Sequence, residues 1–213
     1  WGSIRLLLTS GGNPRQKNIT GDIPLIIAAR TGKIDNVEVL AASATKEEIQ
    51  SLFFTVIATG LTEGANKMLA LGANVNATNT LGETPLMLAV INRHHLIVDI
   101  LLSKGASVQT VSNEGNDILM IALLTKPYKQ RILTALIAKG VNLQRKNTLG
   151  NTALHIAAKQ CMELDFSVIE VLVSAGAKQD DVNNKGDRAR DLIADNCLSS
   201  TRNAWGNWKR GIL

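Results

Sequence analysis

A chain of 213 residues that is 45% apolar and 19% charged can bury one sizeable core or two small ones, and is too apolar to be disordered. Only 3% of its residues are aromatic, which excludes an aromatic-rich β-sandwich and favours helices packed closely through small side chains. The net charge of +5 points first toward polyanions, but residues 1–20 and 196–213 carry six basic residues and no acid, so the rest of the chain sums to −1 and nucleic acid is a disfavoured partner.

In chain order, Ile4-Arg5-Leu6-Leu7-Leu8 followed by Gly11-Gly12 reads as the second half of a helix pair. Its first half is missing and the chain starts at Trp1, so the expectation is an excised piece of a longer protein. Ile23-Pro24-Leu25-Ile26-Ile27-Ala28-Ala29 opens a helix, and Val37 to Leu40 falls in its partner. Thr45 with Glu48 is a capping box that starts a further helix directly. That helix runs through Leu52, Phe53, Val56 and Ile57 and breaks near Gly60. Thr84-Pro85-Leu86 then begins a helix with a hydroxyl cap and a proline in the first turn, and His95 to Leu102 supplies its partner.

Asp117 to Ala122 and Thr152 to Ala158 repeat the opening pattern. Both repeats carry extra residues between their helices, around Thr125 to Arg131 and Gln160 to Phe166, and Pro127 marks the first as a loop. The segment Gly186 to Ala194 keeps the frame but substitutes charge at core-facing slots, as a capping repeat requires. Beyond it, Trp205 and Trp208 either fold back over the last helices or form an exposed docking segment.

The frame is periodic. Gly72, Gly105, Gly140 and Gly176 recur at intervals of 33, 35 and 36 residues, and each is followed ten residues later by another glycine, at Gly82, Gly115, Gly150 and Gly186. The first glycine of each pair suits a left-handed helix end and the second a tight turn before the next helix. With Thr84-Pro85-Leu86 and Thr152-Ala153-Leu154-His155 at the helix starts, the chain resembles the ankyrin repeat over about residues 4–195. The resemblance implies an all-α solenoid of stacked helix pairs, with projecting loop or hairpin fingers and a concave face that binds proteins. On this frame residues 1–20 are a partial repeat, the array covers 21–195 (units at about 21–44, 45–78, 79–111, 112–146, 147–182 and a capping 183–195), and 196–213 is a tail.

Chemistry is sparse. The resemblance gives His155 a hydrogen bond to loop backbone and puts His94 in a turn where Arg93 replaces a usual glycine, while His95 falls on a slot that wants an apolar residue. Cys161, His155, Glu163 and Asp165 are the only residues grouped like a triad, and a loop cysteine without an oxyanion hole does not make one. Cys161 and Cys197 suggest neither a disulfide framework nor a metal site, and no phosphate, dinucleotide or calcium motif is present. No apolar run approaches the roughly 20 residues of a membrane span. Asn18-Ile19-Thr20 is a glycosylation sequon that a cytoplasmic protein leaves unmodified. The expectation is a cytoplasmic, non-enzymatic chain without cofactor or metal.

What is left is surface. Thr80-Leu81 and Thr148-Leu149 stand at finger tips, where leucine has no folding benefit. Glu83 and Asn116, with Asp22, Asn151 and Asp187, precede the first helices, and Arg30, Asn92, Thr125 and Lys159 follow them. Tyr128, flanked by Lys126 and Arg131, is either a hot-spot contact or an inward-packed loop residue. The reading is a scaffold that binds a partner protein. The alternatives are the recognition arm of a larger secreted effector, such as an intracellular bacterium delivers into the host cytoplasm, with its enzymatic domain outside this chain, and a nucleic-acid binder.

Overall fold

The computed structural model describes residues 6, 8–127, 130–160 and 167–197. The chain divides into two compact units, residues 1–107 and 108–213. The first contains helices α1 (Pro24–Arg30), α2 (Ile34–Ala41), α3 (Lys46–Thr59), α4 (Thr62–Ala70), α5 (Pro85–Ile91) and α6 (His95–Ser103). The second contains α7 (Ile118–Leu124), α8 (Gln130–Ala138), α9 (Ala153–Lys159), α10 (Ser167–Ser174) and α11 (Ala189–Cys197).

Several helix starts have a local cause. Thr84 Oγ1 accepts the amide of Met87 at 3.2 Å, and Asp117 Oδ1 accepts that of Met120 at 2.9 Å, each satisfying one of the amides that a helix N-terminus leaves orphaned. Thr45 and Glu48 form the expected capping box on α3, which ends at Gly60 in the left-handed conformation (φ 79°). Ile23 has no side chain that could cap α1, and Pro24 reduces the need by removing one donor.

In the first unit the row α1, α3, α5 packs side by side, and α2, α4 and α6 form a second row against it. The second unit repeats this with α7, α9 and α11 in one row and α8 packed on α7 and α10 on α9. Leu25, Phe53 and Leu86 hold one structural slot in successive repeats and are all buried, as are Leu119 and Leu154 in the second unit. Ala157 and Ala158 are fully enclosed, which is how small side chains let neighbouring helices approach. Arg190 and Asp191 of α11 turn outward rather than into the core. Arg190, in the slot that Leu154 holds one repeat earlier, is exposed and pairs with Asp180 at 2.8 Å, while Ala189 and Ile193 are buried.

A second periodic device links neighbouring repeats. Four residues after Gly11, Gly72, Gly105 and Gly140 stand Arg15, Asn76, Gln109 and Gln144, and each donates to a carbonyl of the following repeat. The acceptors are Ser43 O (2.8 Å), Gly105 O (3.3 Å), Gly140 O (3.3 Å) and Gly176 O (2.7 Å). Asp180 holds this place after Gly176 and takes Arg190 instead.

Asp117 departs from the hydroxyl cap of its counterparts Thr84 and Thr152. It is 1% exposed, and its Oδ2 is buried without a well-formed hydrogen bond. Burial raises its carboxyl above the ordinary 3.8, opposed by the amides of Met120 and Leu119 and the charge of Arg145. A raised folded pKa makes its contribution to stability fully present below the unfolded value and lost as pH rises through the folded one. Asp117→Asn keeps the cap and removes the buried charge. It is expected to raise stability at pH 7 by about 1 kcal/mol, and urea titrations at pH 7 and pH 3.5 should show the gain only at the higher pH.

Candidate partner-binding surface

The fingers are built from one recurring turn. Asn79 Oδ1 accepts the amides of Leu81 and Glu83, both at 2.9 Å, and Asn147 Oδ1 accepts those of Leu149 and Asn151, both at 3.0 Å. Asn18 and Asn183 do the same at residues 18–22 and 183–187. Single bridges, Val111 with Asp117 and Val182 with Arg188, close the bases of two fingers. With the turn backbone secured by its own asparagine, the tip side chains are spared from folding. Leu81 is 68% exposed and Leu149 64%.

In the second unit the tips are joined to one another. The amide and hydroxyl of Thr148 both donate to Glu114 O (3.2 and 3.0 Å), and the amide and side chain of Asn184 donate to Leu149 O (3.2 Å) and Thr148 O (3.0 Å). Asn147 Nδ2 adds a bond to Asn116 Oδ1 at 2.8 Å, and Asn183 Nδ2 one to Asn151 Oδ1 at 3.0 Å. Below them His155, wholly buried, bridges two repeats. Its Nδ1 accepts the amide of Thr152 at 3.2 Å, and its Nε2 lies 3.1 Å from Asp187 O. A carbonyl only accepts, so Nε2 carries the proton and the ring is neutral. Burial is the main cause that holds its pKa below the ordinary 6.5. In the first unit His94 similarly reaches Ala58 O with Nε2 at 3.2 Å, and His95 is the half-buried first residue of α6.

The sequence-derived contact residues fall in both units. In the first, Arg30 forms a two-pronged pair with Asp22 (2.8 and 3.0 Å) and holds that carboxyl below its usual range. Glu83 accepts from Asn79 Nδ2, Asn92 donates to Leu88 O at the end of α5, and Thr80 and Leu81 are exposed. In the second, Thr125 Oγ1 donates to Ile121 O, Lys159 Nζ to Asn151 Oδ1 at 3.2 Å, and Lys126, Arg131, Thr148 and Leu149 are exposed. The Arg30 and Lys159 bridges run from the last residue of a first helix back to the finger base, so the exposed helix face and the finger share one side.

Asn116, also expected at the surface, is 5% exposed, with Nδ2 on Glu114 Oε2 and Oδ1 on Asn147, so its amide belongs to the finger ladder. Tyr128, Cys161, Trp205 and Trp208 lie outside the described residues. Exposed apolar side chains that escaped the sequence reading include Ile19 at the first finger tip and Ile27, Ile91 and Leu124 on first helices. The signal was there. Pro85–Ile91 and Ile118–Leu124 are apolar all round, more than one buried stripe needs. Among the described residues no helix is long and apolar enough to cross a membrane, and no group of His, Cys, Asp and Glu is placed to hold a metal ion.

Residues 52–147 match the family described as ankyrin repeats (3 copies), and residues 149–186 match the single ankyrin repeat. This chain belongs to the ankyrin-repeat family. Among curated ankyrin-matching relatives, a Caenorhabditis elegans intracellular phospholipase A2 is 27% identical over 86% of this chain and 17% of its own length. The rat nuclear factor NF-kappa-B p105 subunit is 34% identical over 49% of this chain and 10% of its own. The glycerophosphocholine phosphodiesterase gde1 of Schizosaccharomyces pombe is 30% identical over 78% of this chain and 16% of its own. This ankyrin chain thus spans less than a fifth of these relatives.

Proposed function

We propose that this ankyrin-repeat chain is a non-catalytic, cytoplasmic module that binds a partner protein through its finger tips and the exposed faces of its first helices. One observation carries the reading. Leu81 and Leu149 occupy tips whose backbones are already secured by Asn79 and Asn147, and both leave most of an apolar side chain in water without any benefit to the fold. Burying a leucine against a partner recovers about 2 kcal/mol. Ile27, Ile91 and Leu124 extend the same chemistry to the helices, beside Thr80, Glu83 and Asn92 in the first unit and Thr125, Lys126, Arg131, Thr148 and Lys159 in the second.

Quantitative affinity capture from lysate with wild-type, Leu81→Asp and Leu149→Asp baits tests this. Each change is expected to lower recovery of specific partners about tenfold while leaving thermal unfolding unaltered. Equal recovery by folded variants would remove these tips from the interface. A second reading, that the module is the recognition arm of a longer protein with its chemistry elsewhere, is favoured by the small share of the relatives that it spans.

A further inference from the structure

The repeat that begins at Thr45 has no finger, because α3 starts where the other repeats spend their residues on the asparagine turn. Arg15 ties down the short connection in its place, with Nε on Glu48 Oε1 at 3.1 Å and Nη2 on Ser43 O. The fingers at residues 17–22 and 78–83 of the first unit are therefore successive, with the finger of the intervening repeat missing.

What a finger would contribute there can be read from the second unit. Its rungs run from the amide and side chain of the residue after the turn asparagine to carbonyls on the preceding tip. By register, the carbonyl of Thr20 corresponds to that of Leu149, and the amide and hydroxyl of Thr80 correspond to those of Thr148. Among the described residues nothing donates to Thr20 O, and neither Thr80 N nor Thr80 Oγ1 makes a hydrogen bond. The glycines agree. A Cβ at Gly115 would lie 3.1 Å from Thr148 N and one at Gly150 2.7 Å from Asn184 N, whereas one at Gly21 would meet nothing within 4 Å. Each of the two neighbouring fingers carries an apolar tip side chain, Ile19 fully exposed and Leu81 68% exposed.

We infer that this vacancy is a docking slot for a tight polar hairpin turn of the partner protein, which enters as the missing finger. A two-stranded turn is about 10 Å wide, since paired strands lie just under 5 Å apart, so one hairpin replaces one finger. Its first tip residue donates an amide to Thr20 O, and the next presents a carbonyl to Thr80 N and Oγ1, with Ile19 and Leu81 closing on its flanks. A short side chain such as Thr, Ser or Asn at the first tip position adds the second donor that Thr148 and Asn184 supply within the chain. The inference rests on the partner-binding reading and narrows it to one kind of partner segment.

The probe is a backbone-cyclised peptide reproducing residues 145–152, whose own turn forms these rungs. It is titrated into the 15N-labelled full chain while the amide of Thr80 is followed by NMR. A saturable shift and slowed hydrogen exchange at Thr80 are expected. Thr80→Val, which deletes only the hydroxyl, should bind about fivefold more weakly. A variant with residues 78–83 duplicated between Ala44 and Thr45, checked for folding by circular dichroism, should lose the shift. The slot is refuted by no saturable change at Thr80, by a shift that survives in the filled variant, or by concentration-dependent self-association through Thr80 that makes a second copy the occupant. If the hairpin fails to bind while Leu81→Asp and Leu149→Asp still reduce partner capture, the module reading stands without the slot. If the hairpin binds but partner capture is indifferent to both leucines, the wider surface is wrong and the slot stands.

Discussion

Gly150→Ala is expected to destabilise the protein by about 3 kcal/mol, and Gly21→Ala by about 1 kcal/mol, although the two glycines hold the same place in their fingers. Both have positive φ, 74° and 82°, so an alanine at either meets the left-handed penalty of roughly 1 kcal/mol. Only at Gly150 does the new methyl also strike backbone, the amide of Asn184 at 2.7 Å. That amide donates to Leu149 O and cannot yield without breaking the rung between fingers, an overpacking cost of about 1–3 kcal/mol. Urea midpoints of the two variants measure the difference, and hydrogen exchange at Asn184 locates it. Equal destabilisation would mean that the finger ladder contributes nothing beyond the turns.

His155→Ala is expected to cost about 3 kcal/mol at pH 7.5, because it opens a cavity at a fully buried site and strands both the amide of Thr152 and the carbonyl of Asp187. The pH dependence identifies the cause. The folded pKa of His155 lies below the unfolded value of 6.5, so its contribution is fully present above that pH and is lost as pH falls through the folded value. The gap between wild type and variant should therefore narrow below pH 6.5. A gap constant from pH 7.5 to 5 would show that cavity formation alone sets the cost.

Much of the fold was legible because its punctuation is stereochemical. Gly60, Gly72, Gly82, Gly105 and Gly150 all adopt positive φ, which few other residues tolerate, and Arg93 at φ 61° shows the frame persisting where glycine is replaced. The α3 capping box was equally readable, since both partners lie within four residues. The surface was less so. Asn116 looks outward from its place before a helix, and only the arrival of Asn147 from the next finger reveals that its amide is occupied. The finger rungs, and the bonds from Arg15, Asn76, Gln109 and Gln144, depend on which carbonyl lies opposite in space, information carried by no local pattern. Ile91 and Leu124 were visible as surplus apolar residues in seven-residue helices, but which residue of each is left in water follows from packing.

The bonds from Gln109 to Gly140 and from Gln144 to Gly176 end on equivalent carbonyls, although the helix-to-helix connections they bypass differ in length from those of the preceding repeat. Register between repeats is thus set from one glycine to the next. Extra residues between the two helices of a repeat, as the sequence carries around 125–131 and 160–166, therefore leave the fingers and helices in step. Those two connections are where new sequence can accumulate at least structural cost, and where relatives of equal fold are free to differ most.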